Sequence, residues 1–310
     1  MNDDKVKLRK DQPVPYEHFF SFTANCVARV IHNAAKEAAN EYQGKGILPQ
    51  TPKQIMDRVA LFGFYLGLPL KEAFRWLAGS VETDNFTYRL TPTSRKHLMS
   101  FLAMTTGVSL ERIDGYLIEV ETDDALKQHC ATIASQRRGP EDTLFEPGRR
   151  IGWYALTRIL KPKLVIETGV HLGYGAVTLA SALLRNQAEG HPGRYLGTEI
   201  NPKAGRLLQG KYAEMGEIRY GDSATTLQNL DQQVDLFIND SDHSAEYELK
   251  EYHIILDKLA PGGMILSDNA HATDSLWDFA REKNLHYLFF REQPEHHWYP
   301  GAGIGLAWRR

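Results

Sequence analysis

Two strand-like runs of this chain end in side chains that can hold protons and cations. The first, Asp235-Leu-Phe-Ile-Asn-Asp-Ser-Asp-His-Ser244, is an apolar stretch that delivers Asp240, Asp242 and His243. The second, Ile265-Leu-Ser-Asp-Asn269, delivers Asp268 and Asn269. Ligands of open α/β sheets bind outside the carboxyl ends of strands, so these groups stand where chemistry is done. Asp240, Asp268 and Asn269 make a hard, all-oxygen set that suits Mg²⁺, Mn²⁺ or Ca²⁺, with water or substrate oxygens completing six ligands. His243 carries an imidazole, which can take a proton from a hydroxyl. Asp242 either contacts a ligand or holds His243. The competing reading of the whole set is helix capping and turn formation, common work for Asp and Asn.

A second motif lies upstream. Residues Leu164-Val-Ile-Glu-Thr-Gly-Val-His-Leu-Gly-Tyr-Gly175 read as a strand ending at Glu167, a turn with Gly169 and Gly173, and the start of a helix. Small residues in such a turn let backbone approach a nucleotide cofactor. The spacing E-x-G-x-x-x-G is neither the dinucleotide fingerprint nor the triphosphate-gripping P-loop. Glu199 ends the next strand, where a carboxylate can accept both hydroxyls of a ribose. Asp222 and Ser223 follow the third strand, as ligands or as an ordinary helix N-cap pair. His171, inside the turn, either lines the pocket or fills space.

The pattern Glu167–Gly173, with Glu199, Asp240–Ser244 and Asp268–Asn269, resembles class I S-adenosylmethionine-dependent methyltransferases. Within them it is similar to metal-dependent small-molecule O-methyltransferases. The catechol and caffeoyl-CoA type has an Asp at the fourth strand's end and Asp-Asn at the fifth's. The cephalosporin-hydroxylase and macrolide-sugar type has Asp-Ser-Asp-His-Ser. The resemblance implies a Rossmann-like sheet of seven strands, mostly parallel, with an antiparallel last strand. It implies S-adenosyl-L-methionine held by Glu167, Gly169, Gly173, Glu199, Asp222, Ser223 and Asp242, with Asp222 and Ser223 at the adenine and Glu167 toward the amino-acid end. It implies Mg²⁺ or Mn²⁺ on Asp240, Asp268 and Asn269, and His243 as general base. The expected activity is O-methylation of a small hydroxylated metabolite. The alternative is metal-independent methylation of nitrogen or carbon. A scaffold that binds nucleotide without reaction has no need of the acid and imidazole set. A dinucleotide oxidoreductase has different glycine spacing.

The rest of the chain must position these groups. Residues 1–138 read as an α-helical region, with candidate helices at Phe19–Tyr42 (closed by Gly44), Pro52–Leu66, Leu70–Leu77, Thr93–Met104, Ser109–Leu117 and Thr122–Ser135. Thr51 is the expected N-cap of the second, with Pro52 at its first position. A charged, Gly-Pro-containing run at 136–142 reads as a linker to a methyltransferase-like domain at 139–310, where strands and helices alternate. A helix is expected at Pro202–Met215. The helical region is expected to cap the site, select substrate or form a homodimer through its apolar faces. Arg149, Arg150, Trp153 and Tyr154 share a helix before the first strand, the Trp and Tyr reading as packing. Thr83–Tyr88 and His296–Pro300 are candidate site-covering segments, and His271 a candidate substrate contact.

The 310 residues are 42% hydrophobic and 24% charged, with net charge −3. That balance suggests no nucleic acid or anionic membrane as partner. No apolar run reaches transmembrane length, and the charged N-terminus does not read as a signal peptide. Cys26 and Cys130 match no metal motif and read as buried thiols of a cytoplasmic protein.

Overall fold

Short runs of branched apolar residues become strands buried on both faces, as parallel sheets require. In the computed structural model, which describes residues 16–43, 51–80, 85–138 and 145–309, seven strands form one sheet. They are β1 (Leu164–Thr168), β2 (Arg194–Glu199), β3 (Gly216–Tyr220), β4 (Val234–Asn239), β5 (Leu259–Ser267), β6 (Leu285–Arg291) and β7 (Gly303–Arg309), in the order β3-β2-β1-β4-β5-β7-β6. The first five are parallel, while β7 is antiparallel to both β5 and β6. This is the expected fold class. The order reverses between β1 and β4, and at such a switch point the loops diverge and leave a crevice.

Alternate side chains along the strands enter two cores. Val165, Leu236, Ile238 and Leu266 pack on one side with Trp153, Leu179 and Leu183. Leu164, Ile166, Phe237 and Ile265 pack on the other with Leu227, Tyr252, Ile255 and Phe279. The first side is covered by α6 (Arg150–Leu160) and α7 (Tyr174–Ala188), the second by α8 (Ser223–Gln228), α9 (Ala245–Leu256) and α10 (Ser275–Glu282).

The chain divides into two compact units, 1–78 and 79–310. The expected boundary at 138/139 therefore falls inside the second unit. Helices α3 (Pro92–Thr106), α4 (Leu110–Glu121) and α5 (Asp124–Arg138) contribute Leu98, Leu102, Ile113, Leu117 and Leu126 to the same core as α6 and α7. The buried Arg158 guanidinium ties α4 to the end of α7, pairing with Glu119 and Glu189 and donating to Asn186. Thr91 and Ser109 cap α3 and α4 with their hydroxyls. The first unit contains α1 (Tyr16–Tyr42) and α2 (Pro52–Gly79). Thr51 and Gln54 cap α2 reciprocally, side chain to backbone.

Two helix expectations need correction. Pro52–Leu66 and Leu70–Leu77 are one helix running through Pro69, because strong helix formers on both sides outweigh the single bond that proline removes. Pro202–Met215 is not a helix: only Gly210–Met215 winds, as a 3₁₀ turn. Gly205 and Gly210 adopt positive φ, and Gly205 and Leu207 donate their N–H groups to the His171 and Leu172 carbonyls of the glycine-rich turn. Gly44, Thr83, Asp84 and most of the linker run lie outside the described residues.

Candidate active site

The carboxyl ends of β1, β2, β4 and β5 open into a cavity of about 670 Å³. Its walls include every residue expected to bind cofactor or cation except Gly173, together with His243.

The glycine-rich turn is shaped by close approach. Gly169 has φ +81°, and a Cβ there would collide with the Asp240 backbone, so the turn after β1 packs against the end of β4 only because this residue is bare. Gly173 serves α7 as its N-cap at φ +99°. Gly175 was not singled out from the sequence. A Cβ on it would strike the Glu167 carboxylate, so its bareness admits that carboxylate to the first turn of α7.

Glu167 is buried and accepts a hydrogen bond from Tyr195 on β2. Burial pushes its carboxyl up to about 8, against the Tyr195 bond and the Arg150 charge. Glu199 uses one oxygen to accept the His171 N–H at 2.7 Å and the other to accept the Asn201 N–H at 2.9 Å. An ionised carboxylate keeps two further acceptor sites after that. The His171 ring is exposed at the cavity wall and sits 5.1 Å from the Phe86 ring.

Asp222 is an N-cap in fact. Its Oδ2 accepts from the Thr225 N–H and hydroxyl, and its Oδ1 accepts from Tyr247. Those bonds, Tyr247 first, pull its carboxyl down to about 2. Ser223 turns inward and donates to Glu251. Asp242 lines the cavity, but its Oδ1 accepts from the Ser244 N–H, and it does not hold His243.

Three other residues surround the imidazole. His243 Nε2 lies 2.8 Å from Asn269 Nδ2 and 3.7 Å from Asp240 Oδ1, while Nδ1 lies 3.7 Å from Glu248 Oε1. With the Asn269 amide donating to Nε2, the ring proton sits on Nδ1, facing Glu248. Glu248 sits on α9, five residues on, where the sequence carried no signal beyond its charge.

The expected cation set is brought together, but not as a free oxygen cage. Asp268 receives one edge of the Arg149 guanidinium, Nε on Oδ1 at 2.7 Å and Nη2 on Oδ2. Against the cost of burial, that pairing holds the Asp268 carboxyl below its usual range. Burial and the neighbouring Asp268 charge hold Asp240 well above it. Asn269 presents its amide nitrogen toward Asp240 and His243. Among the described residues no group of three or more His, Cys, Asp or Glu side chains could hold a metal ion. The set as arranged does not fit a divalent cation.

The helix before β1 contributes more than packing. Trp153 and Tyr154 are buried as expected, but Arg149 and Arg150 line the cavity. Arg150 is 6% exposed, rests on the Trp153 ring, and leaves Nε and Nη1 without a hydrogen-bond partner among the described residues. A buried guanidinium with unused donors asks for an anion. Of the covering segments, Asn85, Phe86 and Tyr299 reach the cavity, whereas His271 is not in its wall. His297 packs on Tyr88.

The family model described as "Methyltransferase domain" matches residues 166–270, which span β1 to the residue after Asn269. The chain carries a methyltransferase domain. The seven-stranded, mostly parallel sheet and its antiparallel β7 are those expected of the class I, S-adenosylmethionine-dependent fold. No curated protein matches the sequence. Solved structures similar to this methyltransferase are distant. The O-methyltransferase TomG from Streptomyces achromogenes, involved in tomaymycin synthesis and in complex with SAM, is 18% identical, covering 60% of this chain and 89% of its own, with TM-score 0.44. Cofactor-bound Rv0187 from MTB is 19% identical, covering 63% and 94%, with TM-score 0.49. An O-methyltransferase from Bacillus cereus in complex with SAH is 15% identical, covering 69% and 97%, with TM-score 0.44.

Proposed function

We propose that this methyltransferase transfers a methyl group from S-adenosyl-L-methionine to a hydroxyl of a small metabolite. One observation carries the reading: a single cavity joins the glycine-rich turn, Glu199 and the unpartnered Arg150 to His243. Its volume is that of a small-molecule site. The residues fit the cofactor. Arg150 offers free donors for its carboxylate, Glu199 keeps acceptor sites for a ribose, and Gly169 and Gly175 clear the approach. Asp222, Ser223 and Asp242 remain candidates for the adenine side, acting with side chains already used in capping.

When bound, S-adenosylmethionine supplies an electrophilic methyl group on a sulfonium. His243 Nε2 takes the hydroxyl proton as the oxygen attacks, once the substrate hydroxyl replaces the Asn269 amide as its donor; Nδ1 is buried against Glu248. The need for a base favours oxygen over nitrogen, since an amine attacks through its own lone pair. Aromatic walls from Phe86 and Tyr299 suit a small organic acceptor. Mg²⁺ or Mn²⁺ on Asp240, Asp268 and Asn269 was the sequence expectation. Asp268 is spent on Arg149, so no step is assigned to a cation.

Two further assignments belong to this reading. The free cysteines, Cys130 buried and Cys26 half-buried rather than buried, suit the cytoplasm, and no helix among the described residues is long and apolar enough to cross a membrane. The 1–138 region supports a homodimer: α2 exposes Met56, Val59, Leu61, Phe62, Phe64 and Tyr65 and buries no described residue. Light scattering that returns a monomer removes the dimer.

Calorimetric titration with S-adenosylmethionine tests the central claim. Saturable binding is expected, followed by label transfer from methyl-labelled cofactor to a panel of hydroxylated acceptors. No binding to the wild type overturns the reading, and transfer confined to amines overturns the choice of oxygen.

A further inference from the structure

Arg149 is 6% exposed and lies at the cavity wall between two fully buried carboxylates. Besides its two bonds to Asp268, Nη1 donates to Glu292 Oε1 at 3.0 Å and to the Tyr88 hydroxyl at 2.9 Å. Tyr88 in turn donates to Glu292 Oε2 at 2.8 Å. Glu292 is pinned by accepting the Ala302 N–H on the same Oε1. The guanidinium is therefore held from three directions: Asp268 after β5, Glu292 after β6, and Tyr88 from the segment before α3. A planar fork bonded through both edges is a fixed charge, unlike a flexible ammonium.

We propose that Arg149 takes the place that a divalent cation would occupy, and that methyl transfer here runs without a cation bound at Asp268. A cation bound on the remaining lone pairs of Asp268 would lie beside the buried Arg149 guanidinium and compete with it for the same carboxylate charge. Asn269 completes the argument, since its amide nitrogen faces Asp240 Oδ1 at 3.4 Å and His243 Nε2 at 2.8 Å. The chain thus keeps the acidic strand ends but spends them on a guanidinium. The Arg149 charge offsets part of the negative charge that Asp268 and Asp240 place beside His243.

The inference rests on reading the cavity as the methyl-transfer site, but its deciding titration needs no cofactor. Wild-type protein is titrated with Mn²⁺ alone and followed by electron paramagnetic resonance of free Mn²⁺ and by calorimetry. No binding stronger than millimolar is expected, and chelation with EDTA should change S-adenosylmethionine affinity less than twofold. The Arg149→Ala variant frees Asp268 and should gain Mn²⁺ binding at least tenfold, a gain lost again in Arg149→Ala/Asp268→Asn. One equivalent of Mn²⁺ bound by the wild type at micromolar strength, and abolished by Asp268→Asn, overturns the proposal. If Arg149→Ala does not fold, Arg149→Lys replaces it, and the wild-type titration alone still decides. Failure of S-adenosylmethionine to bind, with Mn²⁺ also absent, would strike the functional reading and not this one.

Discussion

His243 Nδ1 lies 3.7 Å from Glu248 Oε1, both atoms are buried, and neither has a hydrogen-bond partner among the described residues. The other oxygen of Glu248 accepts from Thr273, which fixes the carboxylate on α9. A slight approach of the ring would close a carboxylate–imidazole pair, and a positive charge forming on His243 would draw it closed. His243→Ala should lower kcat by about 10²–10⁴. Glu248→Gln keeps the shape and should lower kcat by about tenfold with the KM for cofactor unchanged, which steady-state kinetics in both substrates will read. An equal rise in that KM would instead assign Glu248 to folding of the pocket.

Arg150 predicts its own cofactor effect. Charge-assisted bonds from a buried donor contribute about 1.5–3 kcal/mol, so Arg150→Met should weaken S-adenosylmethionine binding by roughly 10–100-fold. Methionine preserves contact with Trp153. Calorimetry on a truncated ligand such as methylthioadenosine, which lacks the carboxylate, should show little difference between variant and wild type.

Glu167 sets a pH dependence of stability. Its folded pKa is raised to about 8 by burial, above that of an unfolded glutamate. The folded state therefore holds a proton that the unfolded chain has released, and stability falls as pH rises from about 4.5 to 8 and then levels. Urea unfolding at pH 5, 6.5 and 8 should show this slope in the wild type, and Glu167→Gln should flatten it. A slope unchanged in the variant would assign the pH dependence to other groups.

Gly175→Ala tests the cradle. The new Cβ meets the Glu167 carboxylate and, at 2.5 Å, the Trp153 ring. Neither can move away, since Trp153 is fully buried and Glu167 is bonded to Tyr195. Overpacking of this kind costs about 1–3 kcal/mol, and the cofactor affinity should fall with it. Gly107→Ala is the control, at a helix end with open space around it; it should cost stability for its positive φ alone and leave affinity intact.

Much of this was legible in the chain, for a local reason. Glu199 ends its strand as expected, because apolar periodicity and flanking turn residues are short-range signals. The E-x-G-x-x-x-G turn and the Asp240–Ser244 run were readable because backbone and side chain there serve one site. Helix prediction failed at 202–208, where Gly205 and Leu207 bond to a turn some 30 residues earlier. Glu251 was equally silent. It accepts from Thr168, Ser223, Asn239 and Ser241, gathering the ends of β1 and β4 with α8, yet in sequence it is an ordinary helical glutamate.

The sequence by itself determined the order of strands and helices, the glycine-rich turn, and which strands end in acid, amide and imidazole. Those follow from neighbours along the chain. Only the tertiary structure decided what the acids are for. Arg149 and Asp268 are 119 residues apart, Tyr88 and Glu292 204 apart, and one buried guanidinium joins them. Whether a carboxylate faces a cation, an arginine or water depends on which distant side chain fills the space before it. That choice is made by packing of the whole core, and no local spacing records it.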